Sequence, residues 1–249
     1  KKILLTGSRQ MVQKQREVFK RQGAQTIELS LIETVQHPSK AFFDALKDIE
    51  KYSWLVFTSV NGVRAFFDCI QGEDEEGQLY LDQRRLAKMR FAVIGEGTRK
   101  CLREYGYMED MMPNTFTGRA LAREWVPTLE ENDQVLLVRA EVAGKEIVDA
   151  LRESGISYVD ATIYSTYVDR RREEELQRIL PDVDYVTMAS ASCARAFSKM
   201  RGNVPYHAKL ISIGPVTSRA CIECGVQVDA TAKYYTAEGL CERICELEK

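Results

Sequence analysis

Two stretches of this chain are versions of one another, and that repeat constrains the fold more than any other feature. Ile3-Leu4-Leu5 and Val135-Leu136-Leu137 each open a strand, helix, strand pattern, at an offset of 132 that holds without a gap to Gly23/Gly155 and Val35/Tyr167. Trp54–Ser59 matches Tyr185–Ser190 at an offset of 131, and Arg64-Ala65-Phe66 matches Arg195-Ala196-Phe197. Ile94–Thr98 matches Ile213–Thr217 at 119, as Phe116–Leu121 matches Tyr235–Leu240. The offset falls by 12 because the first copy carries an insertion containing the acidic loop Gly72–Gly77, which reads as a solvated segment.

Each copy is a run of β-α units. Short apolar strands are predicted at Leu55–Phe57, Phe91–Ile94, Val135–Val138, Tyr185–Met188 and Leu210–Ile213. Helices are predicted at Thr98–Tyr105 and Thr217–Cys224, stopped by Gly106 and Gly225. Alternating strands and helices imply parallel sheets covered on both faces, with ligands at the carboxyl ends of strands where helix N-termini point. Asp160–Tyr167 alternates apolar and polar residues and reads as an exposed strand; its repeat mate is Glu28–Val35.

Net charge is −2, so there is no basic field for nucleic acid. No apolar run approaches the ~20 residues of a membrane helix, and the N-terminus goes straight into a strand pattern, so the expected location is the cytoplasm. The seven cysteines are then expected as reduced thiols. Cys221, Cys224, Cys241 and Cys245 align with Leu102, Tyr105, Ala122 and Val126, which are apolar or aromatic, so they read as thiols on helix faces rather than metal ligands.

No glycine-rich nucleotide loop follows a strand. The only histidines, His37 and His207, lie near no nucleophile-elbow sequence. What remains is a set of strand-end hydroxyls and amides: Thr58, Ser59, Asn61, Thr98, Ser190, Ser192 and Thr217. Singly each reads as a helix N-cap. Together they would offer a polycarboxylate many donors. Arg139, Lys145 and Arg219 are the nearby cations, each ordinarily a solvated charge. Tyr164 is set apart by the repeat, since its mate is Ile32 and the strand does not need a phenol. Alternation places Tyr167 on the opposite face from Tyr164.

Trp54–Val63, Ile94-Gly95-x-x-Thr98, Gly144-Lys145-Glu146, Ile163-Tyr164-x-Thr166, Ile213-Gly214-Pro215-x-Thr217 and Thr236–Leu240, in this order and spacing, resemble the uroporphyrinogen-III synthase family over essentially the full length. The resemblance implies two α/β lobes with parallel sheets, joined by a two-stranded antiparallel ladder, with the active site in the inter-lobe cleft. It places one lobe at about 1–35 plus 170–249, the other at about 36–163, and the crossover strands at about 28–35 and 160–168; the repeat alone would cut the chain near Pro127–Asp133. It implies a lyase that closes hydroxymethylbilane into uroporphyrinogen III, inverting the last ring (ring D) and losing water, without metal or cofactor. In the family the position of Tyr164 is the favoured proton donor. Thr98 and Thr217 match threonines at the cleft, and Ser59, Ser190 and Lys145 match positions near the ligand. Asn61, Ser192 and Arg139 join them here as expected substrate contacts. Lys145 stands where an arginine is common, and Ala189–Ser192 departs from the commoner turn. The expected partners are the bilane and a transient hand-over from the preceding enzyme, with no nucleic acid or membrane, and a monomer is the simplest state. The competing reading is a non-enzymatic two-lobe binding protein for a small polyanion.

Overall fold

The computed structural model describes residues 1–73 and 80–249, so the acidic loop lies, from residue 74 onward, outside the described residues. In chain order the main elements are β1 (Lys2–Ser8), α1 (Arg9–Arg21), β2 (Gln25–Gln36), α2 (Lys40–Lys47), β3 (Trp54–Phe57), α3 (Val60–Ile70), β4 (Arg90–Val93), α4 (Glu96–Glu104), α5 (Gly118–Trp125) and β5 (Gln134–Ala140). They continue with α6 (Glu146–Glu153), β6 (Ser157–Val168), α7 (Glu173–Ile179), β7 (Tyr185–Met188), α8 (Ala191–Met200), β8 (Lys209–Ser212), α9 (Pro215–Glu223), β9 (Ala230–Thr231) and α10 (Ala237–Leu247). The chain divides into two compact units, residues 1–34 with 166–249 and residues 35–165. Neither unit is one copy of the repeat. The first joins the opening strand, helix, strand of copy one to the later strands of copy two.

In the unit formed by residues 35–165 the strands stand in the order β4-β3-β5-β6, paired parallel throughout. In the other unit the order is β2-β1-β7-β8-β9, again parallel. Parallel neighbours need crossover connections, and the helices between strands supply them. Both faces of each sheet are therefore covered, and the strands are apolar on both sides. In β3, Leu55 and Phe57 pack with Phe42, Phe66 and Phe67, whereas Trp54 and Val56 face Trp125 and Leu121. Trp54 and Trp125 meet edge to face, with centroids 5.3 Å apart. Burying each such ring is worth about 2–3 kcal/mol. In β1, Leu4 packs with Val186 and Phe197 on one face, and Ile3 and Leu5 pack with Phe19 and Leu240 on the other.

Helices α4 and α9 begin two residues earlier than the sequence suggests, so Thr98 and Thr217 sit at the third helical position and not at the cap. Gly95 and Gly214 occupy the caps, in extended backbone. The Tyr235 ring favours a glycine at 214, where a Cβ would lie 3.0 Å from it, whereas a Cβ on Gly95 would meet Phe116 only at an ordinary 3.4 Å. Both helices close on a left-handed glycine, Gly106 at φ +87 and Gly225 at φ +70.

The strand at Asp160–Tyr167 is exposed only at its two ends, and its middle is buried. Ala161 and Ile163 are 0% accessible, Ser165 2% and Tyr164 6%. Two things defeat the alternation. A bulge interrupts the register with β5, where Arg139 pairs with Thr162 and Ala140 with Tyr164, leaving Ile163 as the extra residue. Ile163 and Tyr164 then enter the same apolar cluster. Beyond the bulge, Ser165 stays buried because its hydroxyl is hydrogen-bonded. The repeat mate bulges at the matching place: Gly7 pairs with Ser30 and Ser8 with Ile32, and Leu31 and Ile32 share one cluster.

Candidate functional site

In the unit of residues 35–165, the candidate residues collect at the carboxyl ends of β3, β4, β5 and β6. Ser59 caps α3, its Oγ accepting the Gly62 N–H at 3.0 Å, and the same oxygen lies 2.8 Å from the Tyr164 hydroxyl. A Cβ on Gly62 would press to 3.2 Å on the Val138 carbonyl, so a glycine lets α3 seat its first turn against the end of β5. Asn61 is half-buried on that first turn. Thr98 is 6% accessible in α4, whose Gly97 faces Val60 of α3. Burial raises the Tyr164 phenol above its usual range, opposed by the Ser59 hydrogen bond. The phenol therefore keeps its proton at neutral pH and has it to donate. Tyr167, by contrast, is 51% accessible.

Arg139 is neither solvated nor free to meet a ligand. It is 7% accessible; Nε donates to Asp160 Oδ1 at 2.6 Å, Nη2 to Asp160 Oδ2, and Nη1 to the Gly144 carbonyl. A bidentate pair of this kind commits the guanidinium to structure. Its work is to tie β5 to β6 and to hold the Gly144–Lys145 turn. Lys145 is exposed at the N-cap position of α6.

In the other unit, Ser190 caps α8 by accepting the Cys193 N–H at 3.1 Å, and Ser192 is half-buried two residues further on. Thr217 is 4% accessible on the inner face of α9. On the outer face, α9 and the segment 231–235 border a groove of about 600 Å³ whose lining includes Pro215, Ser218, Arg219, Ile222, Thr231 and Tyr235. Ser218 Oγ lies 2.6 Å from Ser212 Oγ and 2.8 Å from Thr231 Oγ1, a hydroxyl triangle that ties the outer face of α9 to the ends of β8 and β9. Arg219 has no ion pair among the described residues.

Among the described residues no group of three His, Cys, Asp or Glu is arranged to hold a metal. Cys221 and Cys241 are buried, Cys224 is half-buried and Cys245 exposed. Burial pushes Cys193 up to about 12 and Cys221 to about 11. The thiolate is the reactive form. Brief iodoacetamide treatment of the native protein is expected to modify Cys245 first and to leave Cys193 untouched until unfolding, read by mass spectrometry. Early labelling of Cys193 would show that α8 lifts from its sheet in the native state.

One cluster is not marked by any sequence spacing. His37, Glu141 and Ser165 come from three separate places and meet through the Ser165 hydroxyl.

A family model described as "Uroporphyrinogen-III synthase HemD" matches residues 13–242. The chain is 28% identical over 250 residues to "Porphyrin biosynthesis protein HemD" of Ruminiclostridium josui, covering 99% of this chain and 48% of that protein, so it spans about half of that relative's length. It is 22% identical to "Putative uroporphyrinogen-III synthase" of Methanocaldococcus jannaschii, over 100% of this chain and 99% of that one. Among solved structures, a mutant uroporphyrinogen III synthase from Thermus thermophilus matches with a TM-score of 0.71 at 16% identity, covering 99% of this chain and 98% of that one. The Helicobacter pylori uroporphyrinogen-III synthetase matches with a TM-score of 0.66 at 21% identity, covering 99% of each chain. These structural likenesses carry the mixed α/β fold with its mostly parallel sheet.

Proposed function

The chain belongs to the uroporphyrinogen-III synthase family, and we propose that it closes hydroxymethylbilane into uroporphyrinogen III, inverting the last ring and losing one water. The observation that carries the site is the chain of donors running from the α3 N-terminus through Ser59 to Tyr164. The Ser59 oxygen accepts the Gly62 N–H. Its own proton can then go to the Tyr164 oxygen, leaving the phenol proton directed at a ligand. Each bond polarises the next, so the helix N-terminus strengthens the phenol as a donor.

The chemistry asks for one such donor. The bilane hydroxyl leaves as water when it takes a proton, and the positive charge left behind spreads into the pyrrole nitrogen. The far ring then attacks through its substituted carbon, giving a spiro intermediate. Reopening and reclosure, with loss of a proton, give the inverted macrocycle. The uninverted ring closes unaided in water, so the protein's main task is to hold a flexible polycarboxylate while inversion outruns simple closure. With a net charge of −2 the protein offers no global attraction, and local donors do the holding. Ser59, Asn61, Thr98 and Lys145 in one unit and Ser190, Ser192 and Thr217 in the other are the groups we assign to the substrate carboxylates and pyrroles. Arg139 contributes by fixing the Gly144–Lys145 turn. No metal or cofactor takes part in this reading.

The test is isomer analysis of the product from freshly made hydroxymethylbilane. The expected product is the type III isomer. A purified protein that leaves only type I sinks the reading, and tight binding of another small polyanion without turnover would replace it with a binding module.

A further inference from the structure

Ser165 is 2% accessible, and its hydroxyl has two polar partners. It donates to Glu141 Oε2 at 2.5 Å and is hydrogen-bonded to His37 Nε2, and Nε2 lies 3.8 Å from the same carboxylate oxygen. A hydroxyl has one proton. If it goes to the carboxylate, the histidine must be the donor, so Nε2 carries a hydrogen and points it at Ser165. The two flanking residues also grip the backbone. The His37 N–H donates to the Ile163 carbonyl at 3.1 Å, and the Glu141 N–H to the Tyr164 carbonyl at 2.9 Å. Three consecutive residues, 163 to 165, are thus held by one pair, at the bulge that aims the phenol.

The repeat shows which part of this grip is general. At the matching bulge the Asp169 N–H donates to the Leu31 carbonyl at 3.0 Å, so the His37 backbone bond has its counterpart in the other copy. The side-chain part is not. There Arg171 joins Asp169, at 2.6 Å, to Glu33, at 3.5 Å, an ionic arrangement beside the aliphatic Ile32. The directed His-Ser-Glu arrangement stands only where the bulge carries a phenol.

We propose that His37 is a positioning residue for Tyr164: by donating to Ser165, with Glu141 as the final acceptor, it locks the bulge so that the phenol meets Ser59 and presents its proton. The proposal rests on the reading of Tyr164 as proton donor, and the test separates the two. His37→Ala is expected to lower kcat about tenfold with KM within about twofold, and to raise the share of type I product. His37→Gln, whose amide can still donate to Ser165, is expected to recover most of the loss. His37→Ala added to Tyr164→Phe is expected to cost nothing further, since the two act on one group. In protein labelled with carbon-13 at the tyrosine ring carbon that bears the hydroxyl, the Tyr164 signal, assigned by its loss in Tyr164→Phe, is expected to shift in His37→Ala and to stay in place in His37→Gln and in Arg171→Ala. An unmoved Tyr164 signal in His37→Ala overturns the proposal whatever the wild-type activity, and so does an equal tenfold loss from His37→Ala in the Tyr164→Phe background. A wild-type protein that yields only type I product fails the functional reading instead, while the signal still decides the positioning.

Discussion

Tyr164→Phe is expected to slow turnover of hydroxymethylbilane by roughly 10²-fold, the lower end for a positioned general acid, while costing stability only about 1 kcal/mol. The two effects separate because the ring and the hydroxyl do different work. The ring sits in an apolar cluster with Phe57, Val138 and Ile163, and phenylalanine keeps that packing. The hydroxyl makes one hydrogen bond, to Ser59, which retains its bond from the Gly62 N–H after the change. The rate effect is placed at the low end because the departing hydroxyl is helped by the pyrrole nitrogen. kcat at saturating bilane and a denaturant midpoint read the two quantities. A variant with unchanged kcat and lowered stability would leave Tyr164 as a core residue only.

Arg139→Met is expected to destabilise the protein by about 3 kcal/mol, the low end for breaking a buried ion pair. Methionine fills much of the space, so the cost is electrostatic. Asp160 would lose its bidentate partner and the Gly144 carbonyl its donor. The Asp160 side chain is 37% accessible, so water takes up part of the deficit. Arg139→Met combined with Asp160→Leu is expected to regain most of the loss, because no charge is then stranded. Urea unfolding of both variants checks this. Equal losses in the single and double variants would mean that Arg139 acts through its turn contact with Gly144 alone.

The strands of both sheets are legible in the sequence because their residues alternate between two apolar environments, as Trp54 to Phe57 do, and because glycines mark where helices end. The bulge at Ile163 is not, since an extra residue is defined only against a partner strand. Arg139 escapes a sequence reading for a related cause. Its repeat mate is Gly7, which suggests a tolerant surface position, and the Asp160 that claims it lies 21 residues away on the neighbouring strand. The early start of α4 and α9 leaves no capping side chain to read, since the caps are Gly95 and Gly214. The meeting of His37 with Ser165 joins residues 128 positions apart and leaves no local mark.

The division of the chain also sets an order of assembly during synthesis. Residues 35–165 make up one unit from a single continuous stretch of chain. Residues 1–34 belong to a unit completed only by later sequence, because β1 pairs with β7, Ile3 lying against Tyr185. At a ribosomal pace of roughly 5–20 residues per second, the N-terminal segment waits about ten seconds or more for its partner strand to emerge. Through that interval Leu4 and Leu5, later wholly buried, have no completed core to enter. Residues 1–34 therefore lack their full sheet until β7 has been made.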